Sequence, residues 1–387
     1  MKKRILWLFL ICLCLLTACG SPADAGSQAE NSAVSQYTYP DGSIAPDTNE
    51  NGYIPVNYTN QHGMWLPYMD FENYMYRKSE EEFRSAAKKI LERASESGVN
   101  TIYFHVHPNG DAYYVSEIFP KGIYCGGDYD PLAIMTETAH SMGISVHAWI
   151  NPLRLQTEEQ MNGLTEDFIV KKWIAEKSPN VRLVDGRWYL NPAYDEVIDL
   201  IGSAVDEILD NYQVDGIHID DYFYPTSESE FDSEAFANSG ESDLSAWRRD
   251  NVNRMVRTIY ETVKKHGERL KFGISPQGNI ETDVNRLYAD VELWCREAGY
   301  ADYIVPQIYY GFLNESCPFE PTLRRWENLC SDSDISLVIG LAGYKVGEKD
   351  QWAGKSGENE WIDDPDVLKK QIELAESSTA DGYAVYE

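Results

Sequence analysis

The chain has 387 residues, with 33 basic and 63 acidic side chains that give a formal net charge of −30 at pH 7. So large an acidic excess argues against nucleic-acid binding, which requires clustered Lys and Arg to neutralise phosphates. Seven cysteines without a Cys-x-x-Cys spacing are too few for a disulfide scaffold in a chain of this length. Cys317 and Cys330 could form a bridge outside the cell or remain buried thiols, and their spacing leaves both alternatives open.

The first nineteen residues have the pattern of a secreted lipoprotein. A basic start at Lys2–Arg4 precedes an apolar run over residues 5–16 and then the sequence Leu-Thr-Ala-Cys, which ends at Cys19. The apolar run is too short to span a bilayer comfortably, so we expect a signal peptide over residues 1–18. The Leu-Thr-Ala-Cys sequence resembles a bacterial lipobox, which would make Cys19 the lipidated first residue. An ordinary signal peptide with incidental cysteines is the alternative.

The next segment, residues 19–52, is rich in Ser, Ala, Asn, Asp and Gly and lacks apolar periodicity. This composition cannot bury enough surface to offset the entropy of ordering, so it predicts a disordered tether. A single large domain is expected over residues 53–387. Acyl chains on Cys19 would hold this domain outside the cell, anchored to the bacterial membrane.

Short apolar strands alternate with amphipathic helices through the large domain. Ser79 and Glu82 have the spacing of a capping box, and Asp130-Pro131 has the pattern of another helix start. Further helices are expected over residues 195–211, around residues 247–263, and after Asp364. The predicted strands cover residues 64–70, 101–106, 144–150, 214–220, 271–275, 303–308, 337–341 and 382–386.

Eight strands that alternate with helices predict an α/β fold of the (β/α)₈ TIM-barrel type, similar in architecture to glycosidases, rather than an open sheet. A long insertion follows the third predicted strand, over residues 152–191. The eighth strand reaches the last residue without a closing helix, so we expect the C-terminus to be truncated.

In such a barrel, one alternation of each strand faces the helices and the other faces the axis. The apolar positions should take the outer set, as Ile217 and Ile219 do in the fourth strand. The inner set is then polar and aromatic on at least five strands at the same end, which suits the hydroxyl groups and C–H faces of a sugar. Each of these residues alone could equally be a satisfied core group. The expected inward residues are Tyr103, His105, His107, His147, Trp149, Asn151, His218, Asp220, Ser275, Gln277, Gln307 and Tyr309.

Two adjacent acids end the fourth strand. Asp220 faces the axis and is the first candidate for the catalytic group, whereas Asp221 cannot share its direction while the strand stays regular. Asp221 could orient a neighbour, or turn inward if the strand has already ended. Because glycoside hydrolysis normally uses two carboxyl groups, a second one is needed, unless an N-acetyl group of the substrate acts as the nucleophile. Other candidates for the second carboxyl group are Asp70, Glu72, Asp111, Glu281 and Glu387.

A histidine cluster is the alternative interpretation of the same strand ends. His105, His107, His147 and His218 could join Asp220 in a metal site like those of barrel metallohydrolases. We expect no metal and no other cofactor, because sugar-binding residue types flank the histidines and the fourth strand has no lysine. A metal-dependent hydrolase is therefore the least favoured function.

Taken together, these motifs resemble the bacterial glycosyl-hydrolase-like 10 family, also described as family 10 glycosylhydrolase-like lipoproteins. The resemblance implies a barrel glycosidase outside a bacterial membrane, with Asp220 and Asp221 as paired acids and Asn151, Gln307 and Tyr309 in the mouth. Members of that family are tied to peptidoglycan, including glycan strands stripped of their stem peptides. The resemblance covers roughly residues 63–386 and rests on Gly63–Trp65, Asn100–Tyr103, Gly110–Tyr114, Ser116–Pro120, His147–Pro152, Leu190–Pro192, Asp215–Pro225 and Pro306–Tyr309.

The expected function is a membrane-anchored glycoside hydrolase that cleaves the N-acetylhexosamine backbone of peptidoglycan, with Asp220 and Asp221 as catalytic residues. A non-catalytic glycan-binding lipoprotein on the same barrel is the alternative, since the fifth to seventh strands end without an inward acid. The expected partners are a polysaccharide substrate and, through Cys19, a membrane. The residues expected to contact the substrate are His105, His107, Trp149, Asn151, Arg154, His218, Tyr222, Gln277, Gln307 and Tyr309.

Overall fold

The computed structural model describes residues 52–164 and 168–387. The predicted signal peptide, the lipidation site at Cys19 and the tether up to residue 51 lie outside the described residues. Across the described ranges, no helix combines the length and the apolar character that crossing a bilayer requires.

A parallel sheet forms the centre of the domain. It contains nine strands in the order β10-β9-β8-β7-β3-β2-β1-β12-β11, and a separate antiparallel sheet has the order β4-β6-β5. The described strands are Gln61–Leu66 (β1), Thr101–His107 (β2), Ser145–Ile150 (β3), Arg154–Thr157 (β4), Val181–Val184 (β5), Arg187–Leu190 (β6), Gly216–Ile219 (β7), Lys271–Ile274 (β8), Tyr303–Ile304 (β9), Ser336–Leu337 (β10), Ile339–Ala342 (β11) and Gly382–Tyr386 (β12).

The two edge strands of the parallel sheet come from one segment of the chain. β10 pairs with β9, β11 pairs with β12, and only Val338 separates the two. The backbone N–H of Val338 donates to the carbonyl of Ile304 at 2.9 Å, so hydrogen bonding continues through the interruption. The sheet therefore closes on itself as a barrel with eight staves, which confirms the predicted TIM-barrel fold.

Helices alternate with the barrel strands and cover the outside of the sheet. The insertion between β3 and β7 contributes α4 and α5 beside its three-stranded sheet. The helices are Phe71–Tyr74 (α1), Glu80–Glu96 (α2), Pro131–His140 (α3), Glu158–Gly163 (α4), Ile169–Ala175 (α5), Asp195–Asn211 (α6), Ser233–Ser239 (α7), Leu244–His266 (α8), Ile280–Thr282 (α9), Val291–Trp294 (α10), Phe319–Cys330 (α11), Glu360–Asp363 (α12) and Val367–Glu376 (α13).

Local sequence signals explain where several elements begin and end. The Ser79 side chain accepts from the N–H of Glu82 while the Glu82 side chain accepts from the N–H of Ser79, so α2 begins with the predicted capping box. β1 ends at Leu66, short of the predicted Asp70, because Pro67 cannot donate to the ladder. β9 is likewise shorter than predicted. Isolated bridges from Gln307 to Gln277 and to Gly340 extend the sheet beyond it.

Side chains alternate across the barrel wall as the sequence predicts. Ile102 and Phe104 belong to the core between sheet and helices, whereas Tyr103 and Trp149 belong to a separate cluster inside the barrel. Burying a side chain such as Phe104 completely contributes roughly 1.5–3 kcal/mol to folding. Polar strand-end residues thus share the inner face with a packed aromatic layer beneath them.

Asp215 closes the opposite end of the barrel, just before β7. Its carboxylate accepts from the hydroxyl of Tyr53 at 2.5 Å and from the backbone N–H groups of Val56 and Val146 at 2.6 and 2.7 Å. The Nε2 atom of His140 lies 2.8 Å from Oδ2, the oxygen that also accepts from Val146. The segment around residues 53–57 is thereby fixed across the amino ends of the strands.

The cysteines of the described residues are all free thiols. Cys317 and Cys330 therefore do not pair with each other in this structure. Cys330 instead lies beside Cys295, and both of these thiols are buried.

Candidate active site

The site lies at the carboxyl ends of the parallel strands, where β7 delivers the two acids. β7 ends at Ile219, so Asp220 and Asp221 are outside the regular strand. Asp220 is only 5% exposed. The Oδ2 atom of Asp221 accepts from the side-chain amide of Gln277, which follows β8. The strand has thus ended before the pair, and both carboxyl groups reach the barrel mouth.

Asp220 has the electrostatic environment of a proton donor. Burial raises the pKa of this carboxyl group well above its usual range, and the negative charge of Asp221 raises it further. The backbone N–H of Tyr222, 3.2 Å from Oδ1, opposes the shift, as does the positive charge of Arg154. Burial dominates, so Asp220 keeps its proton at a pH where an exposed aspartate has lost it.

Asp221 is held by amides. Burial raises its pKa as well, and hydrogen bonds from Gln307 and Gln277 and the charge of Arg154 oppose this rise, so the net shift is upward but smaller than that of Asp220. These donors favour the ionised form, because an amide N–H can only give a hydrogen bond to the carboxylate. Neighbouring carboxyl groups in contrasting environments separate into an acid and a base, which is the division of roles that glycoside hydrolysis needs.

One wall of the mouth includes the indole of Trp149 and the amide of Asn151 at the end of β3. The His105 ring stacks on Trp149 with ring centroids 3.6 Å apart, and the indole Nε1–H donates to the Asn151 side-chain oxygen at 3.2 Å. On the opposite side, Tyr309 stacks on Tyr386 at 6.0 Å between centroids. Flat apolar faces and amide groups therefore meet near the acids.

Arg154, at the start of β4, brings the insertion to the mouth. Its guanidinium lies 4.4 Å from the ring centroid of Tyr222, the residue after the two acids, and Tyr222 is 43% exposed. Among the described residues, no carboxylate forms an ion pair with Arg154, and its Nε–H has no hydrogen-bond partner. The mouth therefore contains a cation that no nearby carboxylate neutralises by direct contact.

The predicted histidines separate into two levels. His105 stacks on Trp149, whereas His107 follows an irregularity in the pairing of β2 with β3, packs against Phe119 and places its Nδ1 atom 2.9 Å from the carbonyl oxygen of Asp111. His218 lies deeper and is fully buried: its Nε2 accepts from Trp65, and its Nδ1 lies 3.0 Å from the Tyr303 hydroxyl. In this arrangement both ring nitrogens of His218 already have protein partners.

A metal centre does not assemble from these histidines. The Nδ1 atom of His147 lies 2.6 Å from the hydroxyl of Tyr303 and its Nε2 atom lies 2.9 Å from the side-chain oxygen of Asn57, so both ring nitrogens already have protein partners. Within residues 52–164 and 168–387, no group of three or more His, Cys, Asp or Glu side chains could hold a metal ion.

The other proposed sources of a second carboxyl group lie in different surroundings. Asp111 is 2% exposed, and burial raises its pKa to about 6. Its Oδ1 accepts from the N–H of Asn109 at 3.0 Å, which is a turn contact. Glu281 pairs with Arg325 on the surface. Asp221 is the neighbouring carboxyl group whose negative charge acts on Asp220.

Sequence reasoning missed two aromatic residues of the mouth, Trp65 and Tyr386. Trp65 packs edge-on against Tyr309 and Tyr386 at 6.5 and 6.2 Å between ring centroids. The charge of Asp220 is among the causes that raise the pKa of Tyr386, which places that ring near the acid. The alternation of inward and outward side chains along β1 and β12 predicts both residues, since each occupies an inward position.

Known proteins with similar sequences are glycosyl hydrolases by name. Residues 61–355 match the sequence pattern of a family described as glycosyl hydrolase-like 10. The chain is 31% identical over 326 residues to glycosyl hydrolase YngK of Bacillus subtilis (strain 168), covering 75% of this chain and 61% of YngK. It is 30% identical over 381 residues to glycosyl hydrolase DigH of Escherichia coli (strain K12), covering 88% of this chain and 84% of DigH.

Solved structures with a similar fold include the glycoside hydrolase domain of PgaB (BpsB) from Bordetella bronchiseptica. The TM-score is 0.55 at 11% sequence identity, with coverage of 86% of this chain and 94% of that chain. A β-galactosidase from Marinomonas ef1 gives a TM-score of 0.53 at 11% identity, covering 84% of this chain and 53% of that chain. At such identities the similarity concerns the fold alone.

Proposed function

The chain belongs to the glycosyl hydrolase-like 10 family, and from this premise we propose that it cleaves the N-acetylhexosamine backbone of peptidoglycan in the bacterial cell envelope. The observation that carries the proposal is the pair Asp220 and Asp221, two neighbouring carboxyl groups in contrasting environments within a mouth of aromatic rings and amides.

In the proposed reaction, Asp220 is the general acid. It donates its proton to the glycosidic oxygen while the bond from that oxygen to the anomeric carbon breaks. General acid catalysis of this kind contributes about 10²–10⁴-fold to a rate. The leaving sugar departs with a new hydroxyl group, and Asp220 becomes a carboxylate that can later accept a proton from water.

The nucleophile in this proposal is the acetamido oxygen of the substrate itself. It bonds to the anomeric carbon and forms an oxazolinium ion, whose ring nitrogen retains its proton and carries positive charge. Asp221, held by Gln277 and Gln307, accepts a hydrogen bond from that N–H and stabilises the charge. A water then attacks the anomeric carbon, gives its proton to Asp220 and restores the acetamido group. This route needs no further carboxyl group.

The charge of Arg154 supports peptidoglycan as the glycan. In peptidoglycan, alternate sugars carry a lactyl carboxyl group that is either linked to a stem peptide or free once the peptide has been removed. A guanidinium with no carboxylate partner among the described residues can form a bidentate pair with such a free carboxylate. We therefore expect a preference for peptide-stripped strands over intact ones.

Digestion of peptidoglycan tests the proposal directly. Purified protein is incubated with intact and with peptide-stripped peptidoglycan, and the soluble products are identified by mass spectrometry. We expect sugar fragments from the stripped strands, released about 10²–10⁴-fold more slowly when Asp220→Asn protein is used. If the wild-type protein binds stripped strands and releases no product, the proposed hydrolysis is wrong and the glycan-binding alternative is supported.

The variant Arg154→Gln tests the preference for a charged glycan separately from the cleavage reaction. We expect this variant to lose activity on stripped peptidoglycan, with a smaller loss on uncharged N-acetylglucosamine oligomers. Arg154→Lys should restore part of the difference because the cation is kept and the bidentate geometry is lost. Equal losses on charged and uncharged glycans would contradict the role proposed for Arg154.

We also propose that the protein is anchored outside the bacterial membrane by lipid on Cys19. The basic start, the short apolar run and the Leu-Thr-Ala-Cys sequence support this location. Cells that express the full chain would be labelled with a radioactive fatty acid and then fractionated. We expect label in the membrane-bound wild-type protein and its absence from Cys19→Ala. Label that survives in Cys19→Ala would place the lipid elsewhere.

A further inference from the structure

A second cavity adjoins the mouth. Its volume is about 330 Å³, and three residues of the mouth, Gln277, Gln307 and Tyr309, form part of its lining. Ser316 and Trp352 belong to the remaining wall. The mouth and this space, which we call the Trp352 cavity, therefore share part of one wall.

Trp352 is unusual in its exposure. The side chain is 81% exposed, the largest fraction among the exposed large apolar residues of the described chain. Large aromatic side chains are normally buried, since each has 150–250 Å² of surface to remove from water. Among the described residues, no aromatic ring stacks on this indole and no cation lies over it. An open indole face beside amides and hydroxyl groups is suited to stacking on a pyranose ring.

A buried ion pair fixes the backbone of Trp352 relative to the mouth. The Lys345 ammonium donates to the carbonyl oxygen of Tyr309 and to the carboxylate of Asp350, both at 2.7 Å. The second oxygen of Asp350 accepts from the backbone N–H of Trp352 at 3.2 Å. Asp350 is only 4% exposed, so the pair is shielded from solvent. Tyr309, Lys345, Asp350 and Trp352 thus form one connected brace.

The same brace leaves the cavity without a charge to attract an ionic ligand. Lys345 and Asp350 neutralise each other, and the amides of Gln277 and Gln307 are neutral. A neutral group with one apolar face and several hydroxyl groups matches this lining. The mouth differs, since it holds Asp220, Asp221 and Arg154.

We propose that the Trp352 cavity is a further subsite for a neutral N-acetylhexosamine ring of the glycan whose cleaved bond lies at Asp220. Trp352 stacks on the face of that ring, and the brace through Asp350 and Lys345 fixes the backbone from which the indole extends. The proposal rests on the proposed function, because it assumes that a sugar chain occupies the mouth. It adds a binding residue for long chains that lies apart from the acids.

Binding measurements test the subsite without relying on cleavage. All proteins carry Asp220→Asn, and N-acetylglucosamine oligomers from the dimer to the hexamer are titrated by calorimetry. Trp352→Ala should weaken hexamer binding by about tenfold, with a loss that shrinks as the oligomer shortens, because aromatic stacking is worth up to about a tenfold change in affinity. Trp352→Phe should retain most of the affinity, since it keeps an aromatic face.

Ile123→Ala is the matched control, because Ile123 is also an exposed apolar residue, at 51%, and is not among the residues that line the cavity. It should leave binding of every oligomer unchanged. As a second measurement, the hexamer should change the indole emission of the parent protein more than that of Trp352→Phe.

Three results would overturn the subsite: equal weakening for dimer and hexamer, no weakening by Trp352→Ala, or no binding of any oligomer by the Asp220→Asn protein. A failure of the proposed hydrolysis would give a different set of results. In that case the wild-type protein releases no product, while the length-dependent loss with Trp352→Ala persists.

Discussion

The two ends of β7 carry the same residue type in opposite circumstances. Asp215 lies at the amino end, where its carboxylate has four hydrogen-bonding partners from three parts of the chain. Asp220 lies at the carboxyl end, where its donors are the backbone N–H of Tyr222, 3.2 Å from Oδ1, and the indole N–H of Trp149. Both carboxyl groups are removed from water, at 0% and 5% exposure.

The difference in donors explains the difference in roles. The partners of Asp215 join segments that are distant in the sequence, whereas a buried carboxyl group with few donors holds its proton. The pKa of Asp220 is raised by burial first and by Asp221 second. Asp215 therefore organises the closed end of the barrel, and Asp220 is available for proton transfer at the open end. Substitutions at the two positions should separate stability from activity.

The largest expected effect is on activity, from Asp220→Asn. Loss of the general acid should reduce the cleavage rate by about 10²–10⁴-fold. The free energy of unfolding at pH 8 should stay the same or rise. The sign follows because the pKa of Asp220 is higher in the folded state, so the stability it contributes is present at low pH and is lost as pH rises through that pKa. Urea unfolding and product release check the two parts. A clear loss of stability at pH 8 would contradict the environment described for Asp220.

The next effect is on stability, from Asp215→Ala. Removal of this carboxylate leaves the Tyr53 hydroxyl and the N–H groups of Val56 and Val146 without their acceptor, at a cost of about 3–5 kcal/mol in the free energy of unfolding. Urea unfolding measures the change, and cleavage per folded molecule should stay within about twofold of wild type, since no acid of the mouth has changed. Asp199→Ala, the same change on the exposed face of α6, should cost less than about 0.5 kcal/mol. A similar cost at both positions would remove the special role of Asp215.

A smaller effect concerns pH, through His147 at the closed end. Burial lowers its pKa to about 4, and its Nε2 atom lies 2.9 Å from the side-chain oxygen of Asn57. Below about pH 6.5 His147 binds a proton in the unfolded chain but not in the folded protein. The free energy of unfolding should therefore fall by about 3 kcal/mol as the pH drops from about 6.5 to about 4. His147→Gln should reduce the slope of stability against pH in this window by about one proton. An unchanged slope would show that His147 does not titrate between the two states.

Much of the fold follows from local signals in the sequence. The helix over Asp195–Asn211 and the strand over Gly382–Tyr386 have the predicted bounds, because apolar periodicity and short-range backbone preferences determine them. The capping box at Ser79 and Glu82 depends on residues three apart. The inner and outer faces of β2 and β7 follow from alternation alone. These features need no knowledge of distant contacts.

The site is less accessible to sequence reasoning, because distant segments complete it. Asp221 turns toward Gln277 only because β7 ends at Ile219, and the strand pattern does not reveal that end point. Arg154 reaches Tyr222 through a small antiparallel sheet within the insertion. The position of Trp352 relative to the mouth is set by a buried ion pair, and no sequence motif indicates it.

The smallest effect that we predict tunes the open end without removing an acid. Gln277→Leu takes one amide donor from Asp221, which raises the pKa of that carboxyl group, because its ionised form loses a hydrogen bond. If Asp221 acts as an anion, the acidic limb of the pH–rate profile should move to higher pH, and the maximal rate should fall by roughly tenfold, since one such bond is worth about 1–1.5 kcal/mol. Asn285→Ala, which removes a surface amide that donates to Glu281, is the matched control and should leave the profile unchanged. A lower rate with an unmoved acidic limb would mean that Gln277 contacts the sugar instead of tuning Asp221. In that case the amide of Gln277 would not determine the pKa of Asp221 at the open end.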